Sequence, residues 1–508
     1  MSKTAVIVGA GIGGIATANI LAQAGYEVQV FEKADTPGGR AGLLVADGFR
    51  FDTGPSWYLM PGVFEQYYRL LGKDIHKELD LVRLSPAYKV FFEQHDPVVI
   101  TSDIEQDAAT FDAIETGAGD ALRRYVSRSK HIYDLSVQHF LYSNFTRTRN
   151  LLHPDIIKNG PAMLRHATRP IDAYVSGYVQ DQRLKQIMEY PMVFLGTSPY
   201  DAPSLYSLMS ALDFEEGVFY PKGGLYTIIE SLTRIAAELG VRFEYGQEVA
   251  KITAQDGVAT GIELADGRVV HADVVVSNAD LHHTETRLLE PQQQTYPDRY
   301  WDKKQASPSA LLMYLGIKGT LPELEHHNLL FVDDWKTNFA DIYKYGKMPD
   351  PASMYVCKPS QTDPTVAPHG HENVFVLVPL PAGVSVDAAQ RDSLAQRYLQ
   401  QLQDMTGVDL TGRIVYQKNF GPQDFYDKFF SWQNSMLGPS HVLSQSAFFR
   451  TPNVSKKLRN LYYSGAGTVP GIGLPMCLIG AELVYKRLAA DTSAHQTDVI
   501  QNLAEEAS

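Results

Sequence analysis

The stretch from Ala5 to Glu32 constrains the fold more tightly than any other part of the chain. Ala5-Val6-Ile7-Val8 is a short apolar, β-branched run that reads as a buried strand. Gly9-Ala10-Gly11-Ile12-Gly13-Gly14 follows at once and satisfies G-x-G-x-x-G through Gly9, Gly11 and Gly14. Ile15, Ala18, Leu21 and Ala22 recur at helical spacing up to Gly25, Val28–Phe31 reads as a second strand, and Glu32 stands at its end. In such a unit the first glycine permits a tight turn, the second lets backbone approach a pyrophosphate, and the third lets helix and strand pack closely. The helix N-terminus offers unpaired N–H donors to phosphate. Glu32, 23 residues after Gly9, can accept hydrogen bonds from both ribose hydroxyls and would repel a 2′-phosphate, which disfavours NADP.

The next residues separate two kinds of dinucleotide site. A nicotinamide enzyme normally returns to its sheet through another helix. Here Lys33 to Arg40 ends in Gly38-Gly39-Arg40, and Asp47-Gly48 leads on to Thr53-Gly54-Pro55. This second glycine-rich, cationic loop can continue along an extended dinucleotide. Gly117-Ala118-Gly119 lacks both a third glycine and a preceding buried strand, so no second nucleotide motif is expected.

Composition narrows the remaining classes. At 508 residues the chain has room for roughly three structural units. Its 44% hydrophobic and 20% charged content is ordinary globular usage, and a net charge of −13 argues against nucleic acid. Cys357 and Cys477 are the only cysteines, which excludes a Cys-x-x-Cys centre and suits a reducing compartment. The N-terminus lacks the h-region of a signal peptide. Leu461–Ala481 carries no charge over 21 residues, but its five glycines and two prolines break it. It reads as a strand, a glycine loop and a helix start, not a membrane span.

Together these segments resemble the flavoprotein superfamily of amine oxidases and carotenoid desaturases. Phe219-Tyr220-Pro221-Lys222-Gly223-Gly224-Leu225 is similar to that group's loop into a helix, and Leu461–Thr468 to its C-terminal flavin strand. The resemblance implies FAD, bound by Gly9, Gly11, Ile12, Gly13, Gly14, Glu32 and Lys33, then by Gly39, Arg40, Gly54 and Pro55. It also implies that the Val249 backbone touches adenine and that Gly465, Gly467, Gly473, Pro475 and Met476 close over the flavin. Strands at Val241–Glu244, Glu248–Ile252 and Val274–Val276, with turns at Asp256-Gly257 and Asp266-Gly267, would complete the nucleotide unit. The expected fold is therefore α/β: a discontinuous Rossmann-like FAD domain (1–70, 216–290, 456–492), a mixed-sheet substrate domain (71–110, 291–455) and a helical, membrane-associating cap (111–215). The last helix runs to about Ala490, and the polar tail, 493–508, is expected to be disordered.

Pro203-Ser204-Leu205-Tyr206, Ser309–Gly316, Thr362–Pro368, Val376–Pro381 and Leu443–Arg450 look like the bacterial-type phytoene desaturases. The departure is Val469, where family members often carry the histidine of Thr-His-Pro-Gly. The resemblance implies desaturation of a linear carotenoid precursor such as phytoene, toward neurosporene or lycopene, by hydride transfer to flavin N5. A hydrocarbon gives no hydrogen-bond handle, so an apolar tunnel must bind it. Tyr206, Met313, Tyr314 and Phe448 are candidate walls, each read more readily as core packing, and no catalytic side chain is assigned. With no second nucleotide motif, oxygen or a quinone is the expected electron acceptor. The alternatives are a related flavin oxidase (diapophytoene desaturase, carotenoid end-group oxidase or amine oxidase) and a non-enzymatic prenyl-binding escort.

Ala121–Ile171 stands apart. Arg123, Arg124, Arg128, Lys130, Arg147, Arg149, Lys158, Arg165 and Arg169 face only Asp134 and Asp155, a local +7, with Tyr125, Tyr133, Phe140, Tyr142 and Phe145 interleaved. Such a segment suits either a solvated helical surface or a cap resting on the inner face of the cell membrane from the cytoplasm. His282-His283, His326-His327 and His369-Gly370-His371 read as surface histidines, with no metal site.

Overall fold

The computed structural model of the chain describes residues 3–147 and 152–504. Five parallel strands form one sheet in the order Leu461–Tyr463, Val274–Ser277, Thr4–Val8, Glu27–Phe31, Arg242–Glu244. Parallel strands are covered on both faces, hence the near-continuous apolar sequence of Thr4–Val8 and Val274–Ser277. The sheet gathers strands from the start, middle and end of the chain. The first helix, Ile12–Gln23, is buried almost throughout and packs against Tyr226–Glu238 and the closing helix, Leu474–Leu488. It starts three residues before its apolar periodicity does, because Ile12, Gly13 and Gly14 already belong to its first turn. Asp256 and Gly257 both take positive φ, 49° and 74°, and join two strands of a three-stranded meander, Val249–Gln255, Val258–Leu264 and Val269–His271.

A second, seven-stranded mixed sheet runs in the order Ile414–Phe420, Ser309–Lys318, His371–Leu380, Met354–Cys357, His327–Phe331, Tyr88–Phe92, Val98–Ile100. All its pairings are antiparallel except His327–Phe331 with Tyr88–Phe92. Alternation divides its faces. Leu311, Met313 and Leu315 pack with Tyr398, Leu399 and Leu402 of the helix Ala388–Thr406. Leu312 and Tyr314 face the opposite way, toward the first sheet.

Helices Ala118–Ser136, Pro154–Thr168, Ile171–Val175 and Gln182–Glu189 occupy the segment expected to be a cap. Its aromatics do not decorate a surface. Tyr125 and Tyr142 are fully buried, while Tyr133, Phe140 and Phe145 are half-buried. Nor is its basic charge all free, since Arg123 pairs with Glu105 at 2.6 Å and with Asp120 at 2.9 Å. Arg149 lies outside the described residues. Among the described residues, no helix is long and apolar enough to cross a membrane.

Residues 493–504 are not a loose tail. Lys486 Nζ donates to the carbonyls of Ser493 (3.0 Å) and His495 (2.7 Å), Gln66 donates to Thr497 O, and Leu503 is buried beside the first helix. Buried polar groups of the closing helix need partners, and this segment supplies them.

Candidate functional site

A cavity of about 1150 Å³ is bordered by Val8, Gly9 and Gly11, by Thr53–Trp57, by residues of the loop after Tyr463, and by Trp335, Phe339 and Ile342. At its nucleotide end, the first helix begins at Gly11 without any side-chain cap, which leaves its N–H donors available to an anion. Gly14 does not line the cavity; a Cβ there would sit 2.1 Å from Gly9 O, so this glycine serves packing. Glu32 accepts from the amides of Ala10 (2.7 Å) and Ala34 (2.9 Å) and keeps further lone pairs for hydroxyl donors. Lys33 lines the wall but is turned outward, donating to Asp427 O and lying 3.5 Å from the Phe430 ring centroid. Arg40 donates to Ser431 Oγ at 2.7 Å, stands 3.8 Å from Asp280, and has an unpartnered, buried Nε. An extended dinucleotide with anionic phosphates fits these groups.

Ile12, Gly13, Gly39, Gly54, Pro55, Val249, Gly465, Gly467, Gly473, Pro475 and Met476 border the same cavity. Asn278, which links the first glycine turn to the loop after Tyr463, escapes the sequence reading. Its amide donates to Ser464 O at 3.0 Å, and a Cβ at Gly11 or Gly465 would come within 2.7 Å of its side chain. The available signal is a polar residue just past a buried parallel strand, where ligands of open α/β sheets bind. Arg450 is another missed residue. Buried, and with burial pulling its guanidinium down to about 10, it donates to the carbonyls of Pro439, Gln445, Ala466 and Thr468. It thereby ties the loop after Tyr463 to residues 439–445.

Beyond Pro55 the walls are apolar and aromatic. Tyr206, Tyr314 and Phe448 line this part. Met313 does not, because strand alternation turns it into the core behind the sheet. Tyr314 donates to Thr53 O at 2.9 Å and so links the second sheet to the Thr53-Gly54 loop. Tyr190, also in the wall, shares the buried carboxyl of Asp213 with Tyr88, at 3.0 and 2.8 Å; burial pushes that carboxyl up to about 7. Burial likewise raises the Cys477 thiol in the cavity wall to about 12, keeping it protonated.

The histidines require a correction. His326 and His327 are buried, with Nδ1 atoms 2.7 Å from Thr362 Oγ1 and Tyr355 Oη, and His327 stacks on Trp57 at 4.1 Å. Burial lowers His326 to about 3 and raises the neighbouring Cys357 thiol to about 12, so both are neutral. His282 and His283 line the nucleotide end, His283 stacked on Phe430 at 4.1 Å. Their polar side chains are covered by aromatic rings, a tertiary effect. Only His369 is exposed as expected, with His371 half-exposed.

Residues 12–482 match the family of flavin-containing amine oxidoreductases. A carotenoid 3,4-desaturase of Haloarcula japonica is 41% identical, covering 96% of this chain and 98% of that protein. A zeta-carotene-forming phytoene desaturase of Myxococcus xanthus is 36% identical, covering 97% and 95%. Among solved structures, putrescine oxidase bound to putrescine superposes with a TM-score of 0.62 at 15% identity, covering 96% of this chain and 99% of that one. At that identity the likeness concerns the fold.

Proposed function

The chain belongs to the flavin-containing amine oxidoreductase family, and from that footing we propose that it is an FAD-dependent carotenoid desaturase acting on a linear polyene such as phytoene. The observation that carries this reading is the continuity of one cavity from Glu32 to Trp335. One end suits a dinucleotide, the other a chain without polar handles. Glu32 would hold the adenosine ribose, the start of the first helix the pyrophosphate, and the Thr53–Pro55 and 465–476 segments the ring system. Bound there, the flavin supplies a hydride acceptor for a substrate carbon whose neighbouring double bond spreads the developing positive charge. The protein's share is to align the polyene and exclude water. Leu312, Leu377, Phe331 and Trp335 do this by apolar contact.

Purified protein, loaded with FAD and given phytoene in liposomes, is expected to yield products absorbing at longer wavelengths. Flavin-loaded protein that leaves phytoene and longer linear polyenes unchanged overturns the reading. We further take oxygen or a quinone as electron acceptor, which turnover under argon with and without added quinone would test.

The cap suggests how a water-insoluble substrate enters. Helix Pro154–Thr168 buries none of its residues, yet Ile156, Met163 and Leu164 border the cavity. Leu164 is 67% exposed and Phe448 56%, with Leu152, Ile157 and Phe449 also exposed. Lys158 and Arg165 are exposed on the same helix. An apolar rim with basic neighbours suits peripheral docking on an anionic leaflet, which supports a reading of attachment to the cytoplasmic face of the membrane. Ile157→Glu with Leu164→Glu should abolish co-flotation with anionic liposomes; undiminished flotation would remove this part of the proposal.

A further inference from the structure

We propose that His441 is a positioning residue: it fixes the Gly471–Ile472 turn against the cofactor, and Tyr206 orients its ring from the substrate side of the cavity. This rests on the flavin reading above. His441 is buried, and Ile472, His441 and Tyr206 all line the cavity. The turn leads directly into Gly473 and the closing helix, whose first residues line the cavity as well.

The hydrogen bonds fix the ring's direction. Tyr206 Oη donates to Ser446 Oγ at 2.7 Å, and Ser446 donates to Val442 O at 2.8 Å. Tyr206 Oη, its proton so committed, accepts from His441 Nδ1 at 2.8 Å. The Nδ1–H tautomer follows, and the Nε2 lone pair accepts the Ile472 amide at 3.3 Å. Desolvation and the Arg450 charge hold the imidazole well below its ordinary range, so it stays neutral and the pattern persists. Close approach is possible only because residue 471 is glycine. A Cβ there would lie 2.3 Å from Cε1 and 2.5 Å from Nε2 of the ring. The loop carries valine at 469; the imidazole beside it arrives from a different segment.

The test uses FAD-loaded protein, with FAD affinity and the visible circular dichroism of the bound flavin as readouts. His441→Phe keeps an aromatic ring but removes both nitrogens. It should weaken FAD binding about tenfold or more and change the dichroism. His441→Gln, which retains a donor and an acceptor, should return both toward wild type. Tyr206→Phe should change the dichroism in the same sense, less strongly. A residue that only filled space would tolerate phenylalanine, so wild-type affinity and dichroism in His441→Phe overturn the proposal. If that variant does not fold, unchanged dichroism in Tyr206→Phe overturns it. Wild-type protein that takes up no flavin overturns the reading beneath it instead, and this inference with it.

Discussion

Glu32 and Asp213 illustrate two opposite uses of a carboxyl group. Glu32 is anchored by two backbone amides and keeps its remaining lone pairs for the cavity. Glu32→Ala should leave the fold intact and weaken FAD binding about tenfold or more, because charge-assisted hydrogen bonds to hydroxyls are lost. Titration of the apo chain with FAD measures this, and an unchanged affinity would remove the residue from the site. Asp213 accepts from Tyr88 and Tyr190, and burial raises its carboxyl from 3.8 to about 7. A raised carboxyl favours folding at low pH: its contribution is complete below the unfolded value and lost as pH rises through the folded one. Wild type should therefore lose thermal stability between about pH 4 and about pH 7 more steeply than Asp213→Asn. Parallel curves for the two proteins would show that Asp213 is not the group responsible.

At the scale of elements, the N-terminal unit is legible because its strand, glycine turn, helix and acid are contiguous. The strand Ser309–Lys318 is legible as a strand but not in its facing. Ser-Ala-Leu-Leu-Met-Tyr-Leu-Gly-Ile is apolar almost throughout and buried on both sides, so nothing local tells Tyr314 in the cavity from Met313 behind the sheet. The last segment misleads in the opposite way. Residues 493–504 look solvated, yet their carbonyls and amides satisfy Lys486 and Glu482 in the closing helix. Ending the chain after Thr492 would leave the Lys486 ammonium bonded to Tyr142 O without those carbonyls. Such a truncation should cost about 3 kcal/mol or more in urea unfolding. An unaltered midpoint would mean that the segment is not part of the fold.

For the whole molecule, the decisive property is that segments far apart in sequence enclose one cavity. Asn278, Arg450 and His441 do their work through contacts that no spacing rule announces, whereas Glu32 and Arg40 follow from a motif. The cap composition pointed to a surface. The exposed apolar residues Leu164, Phe448 and Phe449 come together only when residues 154–168 and 447–449 are seen bordering the same cavity. The proposed placement of flavin and polyene in one cavity predicts direct electron transfer between them. The most direct test is anaerobic mixing of FAD-loaded protein with phytoene or a longer linear polyene in liposomes. The flavin's visible absorbance should bleach as absorption from the lengthened polyene grows, in equal amounts. A flavin that stays oxidised before every linear polyene, and is bleached instead by an amine, would contradict the account.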